Sequence, residues 1–349
     1  MSNSHMTFIV GAGASAEVDL PVGGELKNKI AEALDIQFEY FNQIKGDLRI
    51  TQALRDYVRI NGANQIELEN LIRKCRHIRD NIKYARSIDH YLDAHRDDAE
   101  VVLCGKIAIA KMILDAESNS RLRIVGHNNK YNDDLVVGTW YNLFFQMITS
   151  GVSKSQVNSI FDRINIISFN YDRCIEHFLV QRLCEFYDIR LSDAEQVVRK
   201  LRIYHPYGQV GFLPWQSNGG VRFGDGMGAD LLSISKEIKI FTERMDDKEK
   251  LDEIKNAVSD SEILVFLGFA YHEQNLDLIK PHNYSRTRRI FGTATGISSI
   301  DQNTIKRDLR SMIKHEAEDI TNLDIKILEV TCEGFFEKVS RTLNATKVS

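Results

Sequence analysis

Thr7-Phe8-Ile9-Val10-Gly11-Ala12-Gly13-Ala14-Ser15-Ala16 decides how the rest of the chain is read. A short β-branched run feeds straight into G-x-G-x-x-A, so Thr7 to Val10 reads as a buried strand ending in a glycine turn. Such turns bring backbone N–H groups close to a pyrophosphate at a helix start, which makes Gly11, Ala12, Gly13 and Ser15 candidate dinucleotide contacts. A tight strand-to-helix turn without ligand would look the same. Breakers at Leu20-Pro21-Val22-Gly23-Gly24 precede a helix over about Glu25 to Leu34, whose apolar stripe is Leu26, Ile30, Ala33 and Leu34.

A dinucleotide-binding dehydrogenase would show a second strand soon after that helix, ending in an acidic residue that holds a ribose. Here the acids Glu32 and Asp35 fall within or at the end of the helix. The stretch from Ile36 to Gly151 instead reads as helical throughout, with Ile66, Leu68, Leu71 and Ile72 at helical spacing and apolar helices at Val101 to Leu114 and Leu135 to Ile148. Its cations, Arg73, Lys74, Arg76, Arg79, Lys83 and Arg86, are interleaved with or followed by acids, the pattern of a solvated helix face. Trp140 and Tyr141 read as core packing.

Strands resume at Ile164 to Phe169, Leu201 to Tyr204, Ile263 to Leu267, Arg289 to Phe291 and Ile325 to Val330. The expectation is an α/β protein: a Rossmann-like parallel sheet built from residues 1–36 and 160–349, with an all-helical module, 37–159, inserted after the first βα unit. Gly219 to Gly228 reads either as a mobile loop or as a plain surface connection.

The 349 residues carry a formal charge of −4, which gives no global reason to expect nucleic-acid binding. The five cysteines are scattered and form no C-x-x-C pair, so neither a disulfide framework nor a zinc module is expected, and no metal with it. No stretch suits a membrane span or a signal peptide, which points to the cytoplasm.

Ligands of open parallel sheets lie beyond the carboxyl ends of the strands. Polar or glycine-rich residues stand there repeatedly: Gly11 to Ser15, Asn170 and Asp172, His205, Gly268, Thr293. Each has a plainer reading. Asn170 and Asp172 fit helix caps, His205 before Pro206 a turn histidine, and Gly268 a turn.

In order, these segments resemble sirtuin motifs. Gly11-Ala12-Gly13-Ala14-Ser15 with Leu20-Pro21 is similar to the first, Phe169-Asn170-Tyr171-Asp172 to the second, and His205-Pro206-Tyr207-Gly208 to the histidine–glycine motif. Gly268-Phe269-Ala270 falls where sirtuins carry a Gly-Thr/Ser turn. The helical insertion, Ser87 to Leu92, Gly105-Lys106 with Ala108 to Ala110, and Phe266 to His272 resemble the sirtuin-like effectors of bacterial anti-phage defence. The four-cysteine zinc module of protein-deacylating sirtuins is missing, as is Phe-Arg after the Gly-Ile-Pro turn.

The resemblance implies hydrolysis of NAD, as substrate, to nicotinamide and ADP-ribose. Gly11, Ala12, Gly13, Ser15, Pro21 and Gly268 would hold the dinucleotide, and Thr293, from its strand-end position, the adenine side. Asn170 would orient a water, since its amide both donates and accepts. Asp172 would hold the nicotinamide amide or the Asn170 loop, and His205 would accept a proton. A toxic activity of this kind implies control through homo-oligomerisation or a partner, such as a hexameric ATPase or a nucleic-acid-sensing subunit. The alternatives are a non-catalytic NAD or ADP-ribose sensor, and a NAD-dependent deacylase or ADP-ribosyltransferase.

Overall fold

The computed structural model describes residues 5–40, 42–124, 133–244, 247–314 and 323–345. Strands β1 (Met6–Val10), β2 (Gln37–Glu39), β3 (Asn42–Lys45), β4 (Ile164–Ser168), β5 (Arg202–Tyr204), β6 (Ile263–Leu267), β7 (Arg289–Thr293) and β8 (Asp324–Leu328) follow in chain order. Six of them form one sheet in the order β5-β4-β1-β6-β7-β8, and every pair in it is parallel. Counted among themselves, these strands run 3-2-1-4-5-6, the doubly wound order of Rossmann-like folds.

Every residue of β1, β4 and β6 is buried, as expected of strands covered on both faces. Phe8 and Val10 point to one face, where Trp140, Phe144 and Phe336 pack; Phe8 meets Phe144 edge-on at 5.1 Å. Ile9 and Phe266 point to the other, where the core includes Ile107 and Leu114 from the Ala99–Asn119 helix. The period-two alternation of side chains therefore joins the Ala99–Asn119 helix to one face, and the helices Trp140–Thr149 and Cys332–Ala345 to the other.

The segment after the first helix is not helical throughout. β2 and β3 form an antiparallel hairpin, closed by Gly46 at φ +80° before the helix Leu48–Ile60. Ile36-Gln37-Phe38-Glu39-Tyr40 alternates apolar and polar, a strand pattern too short to stand out in a helical region. The span expected as one helix from Leu135 splits into Asp133–Val136 and Trp140–Thr149. Gly138 and Thr139 interrupt it, with Thr139 extended and its hydroxyl donating to the Val136 carbonyl at 2.7 Å. Among the described residues, no helix is long and apolar enough to cross a membrane.

The chain leaves β1 for β4 on one side and later returns to β6 on the other, so the switch point of the sheet lies between β1 and β6. The turns that follow these two strands touch through their backbones. Gly11 N–H donates to the Leu267 carbonyl at 2.9 Å and Gly13 N–H to the Gly268 carbonyl at 3.0 Å. Gly268 sits at φ +55°, and a Cβ there would stand 2.0 Å from the Ala14 nitrogen. Both the left-handed backbone and the clash exclude any side chain. Gly268→Ala is expected to cost about 3 kcal/mol or more in urea unfolding. Gly24→Ala, at a helical position with open space around it, is expected to be neutral or mildly stabilising.

Candidate active site

Asn170 follows β4 directly and lies beside the β1 turn. Its Nδ2 donates to the Gly11 carbonyl at 3.1 Å and to the Ser15 hydroxyl at 2.9 Å. With both amide hydrogens committed, Oδ1 is the part of the side chain left to engage a water or substrate. Asp172 accepts from the Cys174 N–H at 3.1 Å, the bond of a helix cap, and it also interacts with Ser15. Burial pushes its carboxyl above the ordinary carboxylate range, against the pull of those bonds.

His205, after β5, closes the group. Its Nδ1 lies 3.1 Å from the Asn170 carbonyl and its Nε2 3.0 Å from Glu176 Oε1. A carbonyl can only accept, so Nδ1 carries a proton. Burial works against a charged ring here, but Glu176 and the Asn170 carbonyl outweigh it and raise the histidine pKa. Both ring nitrogens are thus engaged within the protein, and the surroundings favour the charged form of the ring. For the expected proton-accepting role, one of these two contacts would have to open.

Glu176 was not among the expected site residues. It lies four residues after Asp172, in the first turn of the Cys174–Tyr187 helix. This D-x-x-x-E spacing is the feature in the sequence that could have revealed it. Glu176 is 2% exposed and its Oε2 has no hydrogen-bond partner. Both it and His205 line a cavity of about 350 Å³ beside β5.

The remaining expected residues divide by place. Ala12 and Ser15 lie in the one-turn helix Ala12–Ser15 that follows Gly11. Gly11 and Gly13 spend their amides on the β6 turn, as does Thr293, whose hydroxyl accepts from Gly268 N–H at 2.8 Å. Thr293 is 3% exposed and braces this turn from β7. Pro21 lies elsewhere, on a different cavity of about 430 Å³ with Asp19, Glu32 and Asp115. Among the described residues, no cluster of His, Cys, Asp and Glu could hold a metal ion.

The helices between β3 and β4 supply walls to this site. Trp140 and Tyr141 are buried; the Trp140 indole N–H donates to the Ala14 carbonyl at 2.8 Å, and the Tyr141 hydroxyl lies 3.4 Å from that of Ser15. The Tyr171 hydroxyl donates to Asp89. Arg173, directly after Asp172, is fully buried against Glu117, itself fully buried near the end of the Ala99–Asn119 helix. Glu117 Oε1 accepts from both the Arg173 backbone N–H and Nε at 3.1 Å.

The 219–228 segment is tied to the same elements. Arg173 Nη1 donates to the Val221 carbonyl at 2.6 Å, and the Ser118 hydroxyl to that of Gly224 at 2.9 Å. The Phe223 ring stacks on His177 at 4.1 Å.

No family model matches the sequence, and no curated protein matches it. The functional reading therefore rests on the chemistry of these groups. Two buried pairs, Glu117–Arg173 and Glu176–His205, flank a buried amide and a buried acid at the carboxyl ends of β1, β4 and β5.

Two stability measurements follow. Glu117→Ala leaves the buried guanidinium without its counter-charge and is expected to cost about 3–5 kcal/mol in urea unfolding, while Glu117→Leu combined with Arg173→Met recovers most of it. His205 has a folded pKa above its ordinary 6.5, so its charge stabilises the fold fully below that value. The stabilisation is lost as pH rises through the higher folded value. Melting temperatures across this range are expected to fall more steeply in the parent than in His205→Gln.

Proposed function

We propose that this chain is a NAD glycohydrolase, cleaving NAD to nicotinamide and ADP-ribose. The observation that carries the reading is the buried group Ser15–Asn170–Asp172–His205–Glu176 beside the switch point of a doubly wound parallel sheet. That position is where such sheets bind dinucleotides. A scaffold has no need to hold an amide, two acids and an imidazole out of water at this spot, since desolvating them is costly.

The nicotinamide ring of NAD is cationic and leaves as a neutral molecule, so no general acid is required. As the bond from ribose C1′ to the ring nitrogen breaks, the ribose takes on oxocarbenium character. A water held by Asn170 Oδ1 forms the new C–O bond at C1′. Its proton goes to the Asp172 carboxylate, whose affinity for it is raised by burial. His205 and Glu176 position Asn170 through its backbone carbonyl. One mole each of nicotinamide, ADP-ribose and proton results from NAD and water.

By its motifs the chain is read as a sirtuin-like cytoplasmic effector that depletes NAD in anti-phage defence. Its control is assigned to self-association or to a partner, either a hexameric ATPase or a nucleic-acid-sensing subunit. One observation favours a second reading, a NAD or ADP-ribose binding subunit without turnover: both ring nitrogens of His205 are engaged within the protein.

Incubation of the purified chain with NAD, resolving nicotinamide, ADP-ribose and modified protein, separates these readings. Free ADP-ribose in equimolar yield with nicotinamide is expected. Asn170→Ala is expected to lower the cleavage rate by about 10²-fold or more with the melting curve retained. ADP-ribose bound but not produced, under self-associated conditions as well, would favour the sensor; ADP-ribosylated protein would favour the transferase.

A further inference from the structure

The cavity beside β5 contains more than NAD hydrolysis accounts for. It lies on the edge of the sheet, behind His205, with three strands between β5 and β7, the strand that carries Thr293. At about 350 Å³ it is at the small end of ligand pockets, which run from roughly 300 to 1,000 Å³. That size suits a mononucleotide and is small for a dinucleotide.

Two charged groups on its wall are incompletely satisfied. Glu176 Oε2 is buried without a hydrogen-bond partner, although its sister oxygen holds His205. A carboxylate oxygen can only accept, so it calls for an N–H or O–H donor. The Lys250 ammonium has no hydrogen-bond or ion-pair partner among the described residues. Burial, aided by the neighbouring charge of Lys239, pushes its pKa down, against the more distant pull of Asp247, Glu253 and Glu237. Lys239 itself has only Asp247 at 3.4 Å.

Between these charges the wall is suited to a flat ring. Trp215 lines the cavity, and the Arg199 guanidinium lies 5.3 Å from its ring centre. Gln209, also buried, offers an amide of the kind that reads an amino-bearing base edge. A ligand that satisfies the whole wall has a planar base with an exocyclic amine and, at its other end, a phosphate.

We propose that this cavity is a second ligand site, adjoining the strand-end group through Glu176 and His205, that binds a nucleoside monophosphate whose base carries an exocyclic amine. The amine donates to Glu176 Oε2, the base stacks on Trp215, and the phosphate is held by Lys250 and Lys239. The proposal is independent of NAD cleavage, because binding is read without turnover.

The test is isothermal titration of the full chain with AMP, IMP, adenosine and inorganic phosphate. IMP replaces the amine with a carbonyl oxygen that Glu176 repels, and adenosine lacks the phosphate. AMP is expected to bind about tenfold or more tighter than either. In Glu176→Gln, whose amide both donates and accepts, AMP and IMP are expected to converge to within about threefold. Because Glu176 also holds His205, Lys250→Ala provides the second arm: AMP is expected to weaken to the level of adenosine. The proposal is overturned if AMP does not bind, if it binds no tighter than IMP and adenosine, or if inorganic phosphate alone binds as well as AMP. Unchanged AMP affinity in a folded Lys250→Ala protein overturns it equally.

Discussion

Two glycine turns pressed backbone to backbone set the spacing on which the centre of this molecule depends. Gly11 and Gly13 donate to the last carbonyl of β6 and to Gly268, and Gly268 adopts a left-handed conformation at the point of contact. With no side chain between them, β1 and β6 continue their pairing past the strand ends. The Ala12–Ser15 turn is thereby fixed beside β4, which brings the Ser15 hydroxyl within reach of Asn170. Thr293 and Tyr271 extend the arrangement sideways: the Thr293 hydroxyl caps Gly268 N–H, and the Tyr271 hydroxyl donates to the Thr293 carbonyl at 3.0 Å. Polar groups on four neighbouring strands are thus held by a contact that involves no polar side chain at its centre.

The second organising feature is electrostatic. Glu117 and Arg173 are fully buried, and a pair in that position is sensitive to geometry, because neither charge can fall back on water. Arg173 is adjacent in sequence to Asp172, and Glu117 belongs to the module. Any displacement of the module relative to the sheet must therefore move the start of the Cys174–Tyr187 helix or separate the two charges. Glu17 makes a comparable link, accepting from the backbone N–H groups of Trp140 and Glu333, both at 2.8 Å, so the module, the first turn and the C-terminal helix meet at one carboxylate.

The sequence makes the sheet strands legible because they are short, apolar and bounded by breakers, and the constraint that makes them so is burial on both faces. The β2–β3 hairpin was not legible, since its two strands are short and largely exposed and leave little trace in the hydrophobic pattern. At the site, the residues at strand ends were visible because position alone singles them out. Their bonding was not. That Thr293 serves Gly268, or that both nitrogens of His205 are engaged, depends on partners far away in the chain. Glu176 was legible in principle from its spacing to Asp172, but a carboxylate on a charged helix reads as surface until the fold buries it.

The parallel order of the sheet has a consequence for how the chain reaches this state. β1 is central, yet its neighbours are made much later: Met6 pairs with Ile164 on one side and with Ile263 on the other. The Thr7 hydroxyl, buried under β1, donates to the Ala257 carbonyl, 250 positions away. During synthesis the N-terminal strand therefore leaves the ribosome with both edges unpaired and waits for most of the polypeptide before its second edge is covered. Sheets dominated by such distant pairings form slowly and expose apolar edges meanwhile. The helices between β3 and β4, complete in sequence before β4, supply side chains to both faces of that strand and are the natural body to shelter it in the interval.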